Sequence, residues 1–139
     1  MKSKFQKFAA LAALLSGIYL AACATTPTPE NAGPAPTNYR ELVREFLRTR
    51  LLDAQSARDV QIAPPRIGQV YVEGTFQHAN GWAVCYRANA KNRMGAYTGL
   101  KNAVLLIQEN RVVASNEDAD HYDIRTNCAN AKYEPLLLF

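Results

Sequence analysis

The side chains of this 139-residue chain that are placed for covalent or acid–base chemistry fall into three groups. The first is Glu117-Asp118-Ala119-Asp120-His121-Tyr122-Asp123, the only concentration of carboxylates, with a histidine inside it. Paired carboxylates can hydrolyse glycosidic bonds, and a hydrolase built here would depend on Asp120, His121 or Asp123. The run lacks the glycine turn and closing glutamate of a calcium loop, so it reads as a solvated loop rather than a metal site. The second group is hydroxyls. Beyond residue 22 the only serines are Ser56 and Ser115, neither in a Gly-x-Ser-x-Gly turn. A serine nucleophile needs an aligned base, and His78, just before Asn80-Gly81, reads as an exposed hairpin residue. The third group is the thiols of Cys23, Cys85 and Cys128. No Cys-x-x-Cys spacing occurs, which leaves zinc and redox chemistry poorly supported. A phosphate-binding glycine loop is also missing. These residues describe a non-enzymatic chain with no catalytic residue, cofactor or metal.

The first thiol has a different use. Lys2, Lys4 and Lys7 open the chain with no carboxylate among them, and Phe8 to Leu20 is almost wholly apolar or small. A basic start, an apolar centre and a small-residue end are the parts of a secretory signal. The apolar stretch is short of the roughly 20 residues a spanning helix needs, although an uncleaved anchor is the competing reading. Leu20-Ala21-Ala22-Cys23 then resembles the lipobox of bacterial lipoproteins. The resemblance implies that the Cys23 thiol takes a diacylglycerol, that residues 1–22 are cut away, and that the new N-terminus is acylated. Each buried methylene contributes about 0.8 kcal/mol, so one acyl chain holds marginally and two or more hold firmly. Ala24 stands where an Asp marks inner-membrane retention in many such lipoproteins. Its presence favours the outer membrane, facing the periplasm.

Processing changes the charge. The full chain is +4, but three of its sixteen basic residues leave with the signal, and thirteen against twelve acidic ones leave +1. The nucleic-acid partner that a basic chain would suggest is thereby removed. Residues 23–38 carry Pro27, Pro29, Pro34 and Pro36 among Thr, Ala, Gly and Asn. Such a stretch buries too little apolar surface to fold. As polyproline II, at about 3.1 Å per residue, it would reach some 45 Å from the bilayer. Residues 39–139 then form one domain of about 100 residues, enough to fold alone. With Cys23 given to lipid, Cys85 and Cys128 are left as a pair in an oxidising compartment. Their bond would close about 44 residues and contribute roughly 4 kcal/mol by chain entropy; two separate buried thiols are the alternative.

The spacing within 39–139 predicts an α+β fold, with one N-terminal amphipathic helix on an antiparallel sheet of about four to five strands, and one disulfide. Asn38 and Glu41 have the spacing of a capping box. Tyr39, Leu42, Val43, Phe46, Leu47 and Leu51 recur at helical intervals, with Glu41, Arg44, Glu45 and Arg48 opposite. Asp53 to Ala57 reads as a turn, and Val60 and Ile62 alternate into Pro64-Pro65, which ends that strand or confines it to an edge. Val70 and Val72 alternate onward to Phe76, and Asn80-Gly81 signals a tight turn into Trp82–Ala90. Leu100 to Gln108 is apolar, and Asn110-Arg111 links it to Val112-Val113 as a second hairpin. Asn116 to Asp123 reads as a loop, and the apolar end from Pro135 to Phe139 as a docked segment.

Asn89 to Gly99 joins two apolar strands, and its glycines and asparagines suit a shaped loop. The stretch Asn89-Ala90-Lys91-Asn92, with Gly95, Tyr97 and Gly99, is similar to a pattern in small uncharacterised proteobacterial lipoproteins and secreted proteins. The same family has an earlier Leu-x-Asp-Pro-x-Ser-Ala pattern, matched by Leu51, Asp53, Ser56 and Ala57, with Ala54 in place of Pro. The resemblance covers roughly residues 45–130 and implies a shared fold unit; it carries no established activity.

Between Glu73 and Glu109 there is no carboxylate, yet Arg87, Lys91, Arg93 and Lys101 lie there. Glu109 to Asp123 holds five carboxylates and only Arg111. Either the two regions face each other, or the basic loop meets an anionic envelope component or an envelope protein. Its candidate contact residues are Asn89, Lys91, Asn92, Arg93 and Tyr97. The expected protein is anchored in the membrane by its N-terminal lipid and acts by contact. A small binding or inhibitor module for a soluble periplasmic or foreign protein is the second reading, and a hydrolase the third. The two histidines and the acidic run are all that the third can draw on.

Overall fold

The computed structural model describes residues 26–139, so the signal segment and Cys23 lie outside the described residues. The fold is α+β, an antiparallel sheet of six strands with three helices and a Cys85–Cys128 disulfide. At its centre β3 (Gln77–Lys91) pairs with β4 (Tyr97–Gln108). β5 (Arg111–Asn116) continues the sheet beyond β4. On the other side of β3, β2 (Arg66–Val72) pairs with its first half and β1 (Arg58–Ile62) with its second. The two-residue β6 (Glu134–Pro135) closes the far edge beside β1, which makes one strand more than expected.

The central strands are buried on both faces over 83–86 and 103–107, which is why those stretches are continuous apolar runs. On one face Val84, Tyr86, Leu105 and Ile107 pack with Val60 and Ile62, and with Val43 and Leu47 of α2 (Tyr39–Arg50). On the other, Ala83, Cys85, Val104 and Leu106 pack with Val70 and Ile124. Ile124 belongs to α3 (Tyr122–Cys128), which replaces the end of the loop expected over 116–123. Cys128 at its end meets Cys85 on β3, with Cα atoms 5.7 Å apart.

Two local expectations are corrected. Asn80-Gly81 does not turn the chain; both lie inside β3, opposite Gln69 and Gly68. The hairpin turns instead at Gly74 and Phe76, both at positive φ (80° and 56°). Gly81 has a packing reason to be glycine, since a Cβ there would lie 2.8 Å from the Ile107 carbonyl oxygen. The second hairpin turns on Glu109 and Asn110, both at positive φ, as a two-residue primed turn requires. Asn38 makes no side-chain cap; its carbonyl accepts from the Glu41 and Leu42 amides. Glu41 pairs instead with Arg44 and Arg48.

The stretch expected to be a bare tether is partly docked. α1 (Pro29–Ala32) carries a complete capping box from Thr28 and Asn31, and Ala32 is buried. The half-buried Trp82 indole donates to the Gly33 carbonyl at 3.0 Å. An indole N–H taken from water needs such an acceptor, so the extended reach does not hold from Thr28 onward. At the other end Leu136 and Leu138 are buried while Leu137 and Phe139 are exposed. Arg40, Arg44 and Arg48, spaced four apart on α2, donate to the carbonyls of Pro135, Leu137 and Leu138 at 2.8, 2.8 and 2.6 Å. The arginine stripe on the helix's polar face thus fastens the C-terminal segment.

Candidate contact surface

The 89–99 stretch is the outer end of the β3–β4 hairpin. Its strands run to Lys91 and resume at Tyr97, so the expected loop shrinks to five residues, 92–96. The shaping is done by two asparagines. The Asn92 side-chain oxygen accepts from the Met94 and Ala96 amides at 3.0 and 3.1 Å, and its backbone bonds Gly95 and Ala96. The Asn89 side-chain oxygen accepts from the Gly99 amide at 3.0 Å, across the irregularity between Asn89 and Lys91. Thr98 Oγ1 donates to the Ala90 carbonyl at 3.2 Å.

The two motif stretches 35 or so residues apart form one unit. Tyr97 Oη donates to the Ser56 carbonyl at 2.9 Å, and Lys91 Nζ lies 3.8 Å from Asp53 Oδ2. Arg58 and Lys91 sit over the Tyr97 ring at 4.4 and 5.5 Å from its centroid. Asp53 also caps the 3-10 turn Ala54–Ser56 through the Ser56 amide. Of the five candidate contact residues, Asn89 and Asn92 therefore serve the loop's own backbone. Lys91 and Tyr97 hold the arm to that turn. Arg93 is the one of the five whose side chain makes no hydrogen bond, ion pair or ring contact among the described residues, and it is exposed beside Met94, which is 92% exposed.

The outer part of β4 carries a feature that the sequence does not show. β5 pairs with β4 only from Val104 onward, so Thr98 to Ala103 has no strand on its outer side among the described residues. Along this edge lies a groove of about 230 Å³, bordered by Leu51, Tyr86, Ala88, Ala103, Lys101 and Glu117. Tyr86 Oη lies 3.3 Å from Glu117 Oε1, and Arg50 Nε lies 3.2 Å from the same oxygen. Burial, reinforced by the Glu117 charge and hydrogen bond, raises the Tyr86 phenol far above its ordinary value; Arg50 opposes this. Tyr86 is accordingly a fixed hydrogen-bond donor on the groove wall. The Glu117 contact in turn raises the Arg50 guanidinium. No ion pair among the described residues joins the basic 87–101 segment to the carboxylates of 109–123. Glu117 pairs with Arg50, and Lys91 with Asp53. Arg87 donates to Gln61 Oε1 at 2.8 Å and lies 4.3 Å from the Tyr133 ring centroid.

The acidic run is split by the fold. Asp118 and Asp120 are exposed, but Asp123 is 1% exposed, which corrects its assignment to a solvated loop. Its Oδ2 accepts from the Tyr71 amide at 2.9 Å and Asn116 Nδ2 at 3.4 Å, while Oδ1 faces His78 Nε2 at 3.3 Å without an aligned hydrogen bond. His121 Nδ1 accepts from the Asp123 amide at 3.2 Å. Asn127 Nδ2 donates to the Gln69 carbonyl at 2.8 Å. Asp123 and Asn127 thus pair the free edge of β2 and seat α3 on it. His78 is half-exposed and edge-on to Tyr71, within a strand. The adjoining pocket of about 270 Å³ has His78, Tyr122, Asp123 and Thr126 in its lining. Ser56 Oγ donates to the Asp53 carbonyl at 3.0 Å.

Among the described residues no three His, Cys, Asp or Glu side chains converge as a metal set, and no helix is long and apolar enough to cross a membrane. No protein-family model, curated protein or solved structure matches the chain.

Proposed function

We propose that this chain is a lipid-anchored protein of the outer membrane, facing the periplasm, that acts without catalysis by contacting another envelope component through the β3–β4 arm. The observation that carries this reading is the use made of residues 89–99. Their polar side chains hold the shape of the arm, and leave Arg93 and the Thr98–Asn102 edge facing solvent. The lipobox-like Leu20-Ala21-Ala22-Cys23 and the proline-rich segment behind it support the anchored, secreted half of the reading. The hydrolase reading is weaker because Asp123 is occupied in holding β2 and α3 together.

Replacing Lys91 or Tyr97 would test folding and contact together, since both brace the arm. The informative variant is Arg93→Glu with Lys101→Glu, both exposed positions. Crosslinking in cells that produce the full chain, followed by pull-down, should capture a partner with the parent. The variant, shown to be oxidised and equally heat-stable, should lose it. Equal capture by both, or by neither, would contradict the reading.

A further inference from the structure

Resting on that reading, we infer that the open β4 edge from Thr98 to Asn102 is a strand-addition site for an extended, acidic segment of a protein partner. An unpaired strand edge presents a row of amides and carbonyls that another chain can complete, with side-chain pockets beside the edge giving selectivity. Both parts are here. β5 leaves the edge uncovered below Val104, and the groove against Leu51, Ala88 and Ala103 lies alongside it. At about 230 Å³ the groove is smaller than the roughly 300–1,000 Å³ typical of cofactor and drug-sized sites. Its scale is that of one or two apolar side chains. Lys101 and Ala103 share a face of β4, so alternate residues of an added strand would lie over the groove.

Charge selects the occupant. The arm between Glu73 and Glu109 carries Arg87, Lys91, Arg93 and Lys101 and no carboxylate. Lys91 is matched by Asp53, whereas Lys101 and Arg93 have no ion-pair partner among the described residues. A carboxylate on the added strand beside Lys101 makes a favourable cross-strand pair. A second copy of this chain would set two basic arms side by side, and a lysine within an exposed edge is a recognised barrier to self-pairing.

The test places a photoreactive residue at Leu100, which is 45% exposed on this edge, in the full chain in producing cells. Asn102 is the second placement should the first fail to fold. Arg93 samples the tip, and Glu109, on the turn at the opposite end of β4, is the control. The expected adduct forms at the edge and not at Glu109, and its mapped peptide is an extended segment rich in Asp or Glu. Lys101→Glu should cut its yield about tenfold, and Lys101→Arg should leave it within about twofold. An adduct to a second copy, to lipid or glycan, or to a segment without carboxylates overturns the inference. An adduct at Arg93 alone overturns it while leaving the contact function standing. No adduct at the edge or the tip overturns both.

Discussion

Asp123 shows how one residue can be misplaced by its neighbours in sequence. It belongs to a run of carboxylates that looks solvated, yet it is the one turned inward, and its partners lie on β2, β3 and β5. Only the chain's return across the sheet brings those partners together, so no local pattern announces them. Removing one side of a buried polar cluster leaves the rest unpaired. Asp123→Ala should therefore cost about 3 kcal/mol in urea unfolding, whereas the exposed Asp120→Ala should stay within about 0.5 kcal/mol. Tyr86 gives a pH dependence of definite sign. Its phenol is held protonated in the folded chain by burial and by Glu117, and titrates normally, near pH 10, when unfolded. The unfolded chain thus loses a proton that the native one keeps. Stability is complete below about pH 10 and falls above it by up to about 1.4 kcal/mol per pH unit. Thermal melts between pH 9 and 11 should show this slope reduced in Tyr86→Phe; an unchanged slope would remove Tyr86 as its source.

Among the elements, the most legible were the central strands, because burial on both faces leaves unbroken apolar runs at 83–86 and 103–107. The turn at Asn80-Gly81 was misread for a physical reason. The glycine answers to a neighbouring carbonyl in space, and no turn rule encodes that. α3 escaped notice because it is seven residues long and offers Ile124 as its one large apolar residue to the core. The shape of the 89–99 stretch could be anticipated from its asparagines and glycines, but the bare β4 edge could not, since it depends on where β5 stops. The disulfide was expected from the cysteine count and the oxidising compartment that the signal-like start implies, and its place is more informative than its presence. It ties α3, whose one large apolar core residue is Ile124, to the central strand. Reduction should lower stability by roughly 4 kcal/mol. Amide exchange should quicken first in 122–128 and in β2, ahead of β3 and β4. Uniform quickening would mean that the bond supports the whole sheet equally.

At the scale of the molecule, the proposed acylated N-terminus precedes a domain that already includes Thr28 to Gly33, ahead of where the proline content placed it. Thr28 to Gly33 is folded against Trp82, so the spacer between the proposed lipid and the domain would be shorter than the full proline-rich stretch. Cys23→Ala should leave the signal uncut and remove the acyl chains, and on fractionation the protein should no longer stay with outer membranes through lipid. Normal processing and retention in that variant would contradict the anchor. The central claim is that the β3–β4 arm is a contact surface whose β4 edge is covered in place. Its most direct test is amide hydrogen exchange at 98–102, measured on the full chain in envelope membranes and on the same chain purified. Exchange should be at least about tenfold slower in the membranes at the outward-facing amides of this stretch, Gly99 apart because Asn89 already holds it, with 109–110 unchanged between the two preparations. Equal rates at 98–102 in both would show the edge bare where the protein works, and would contradict the account.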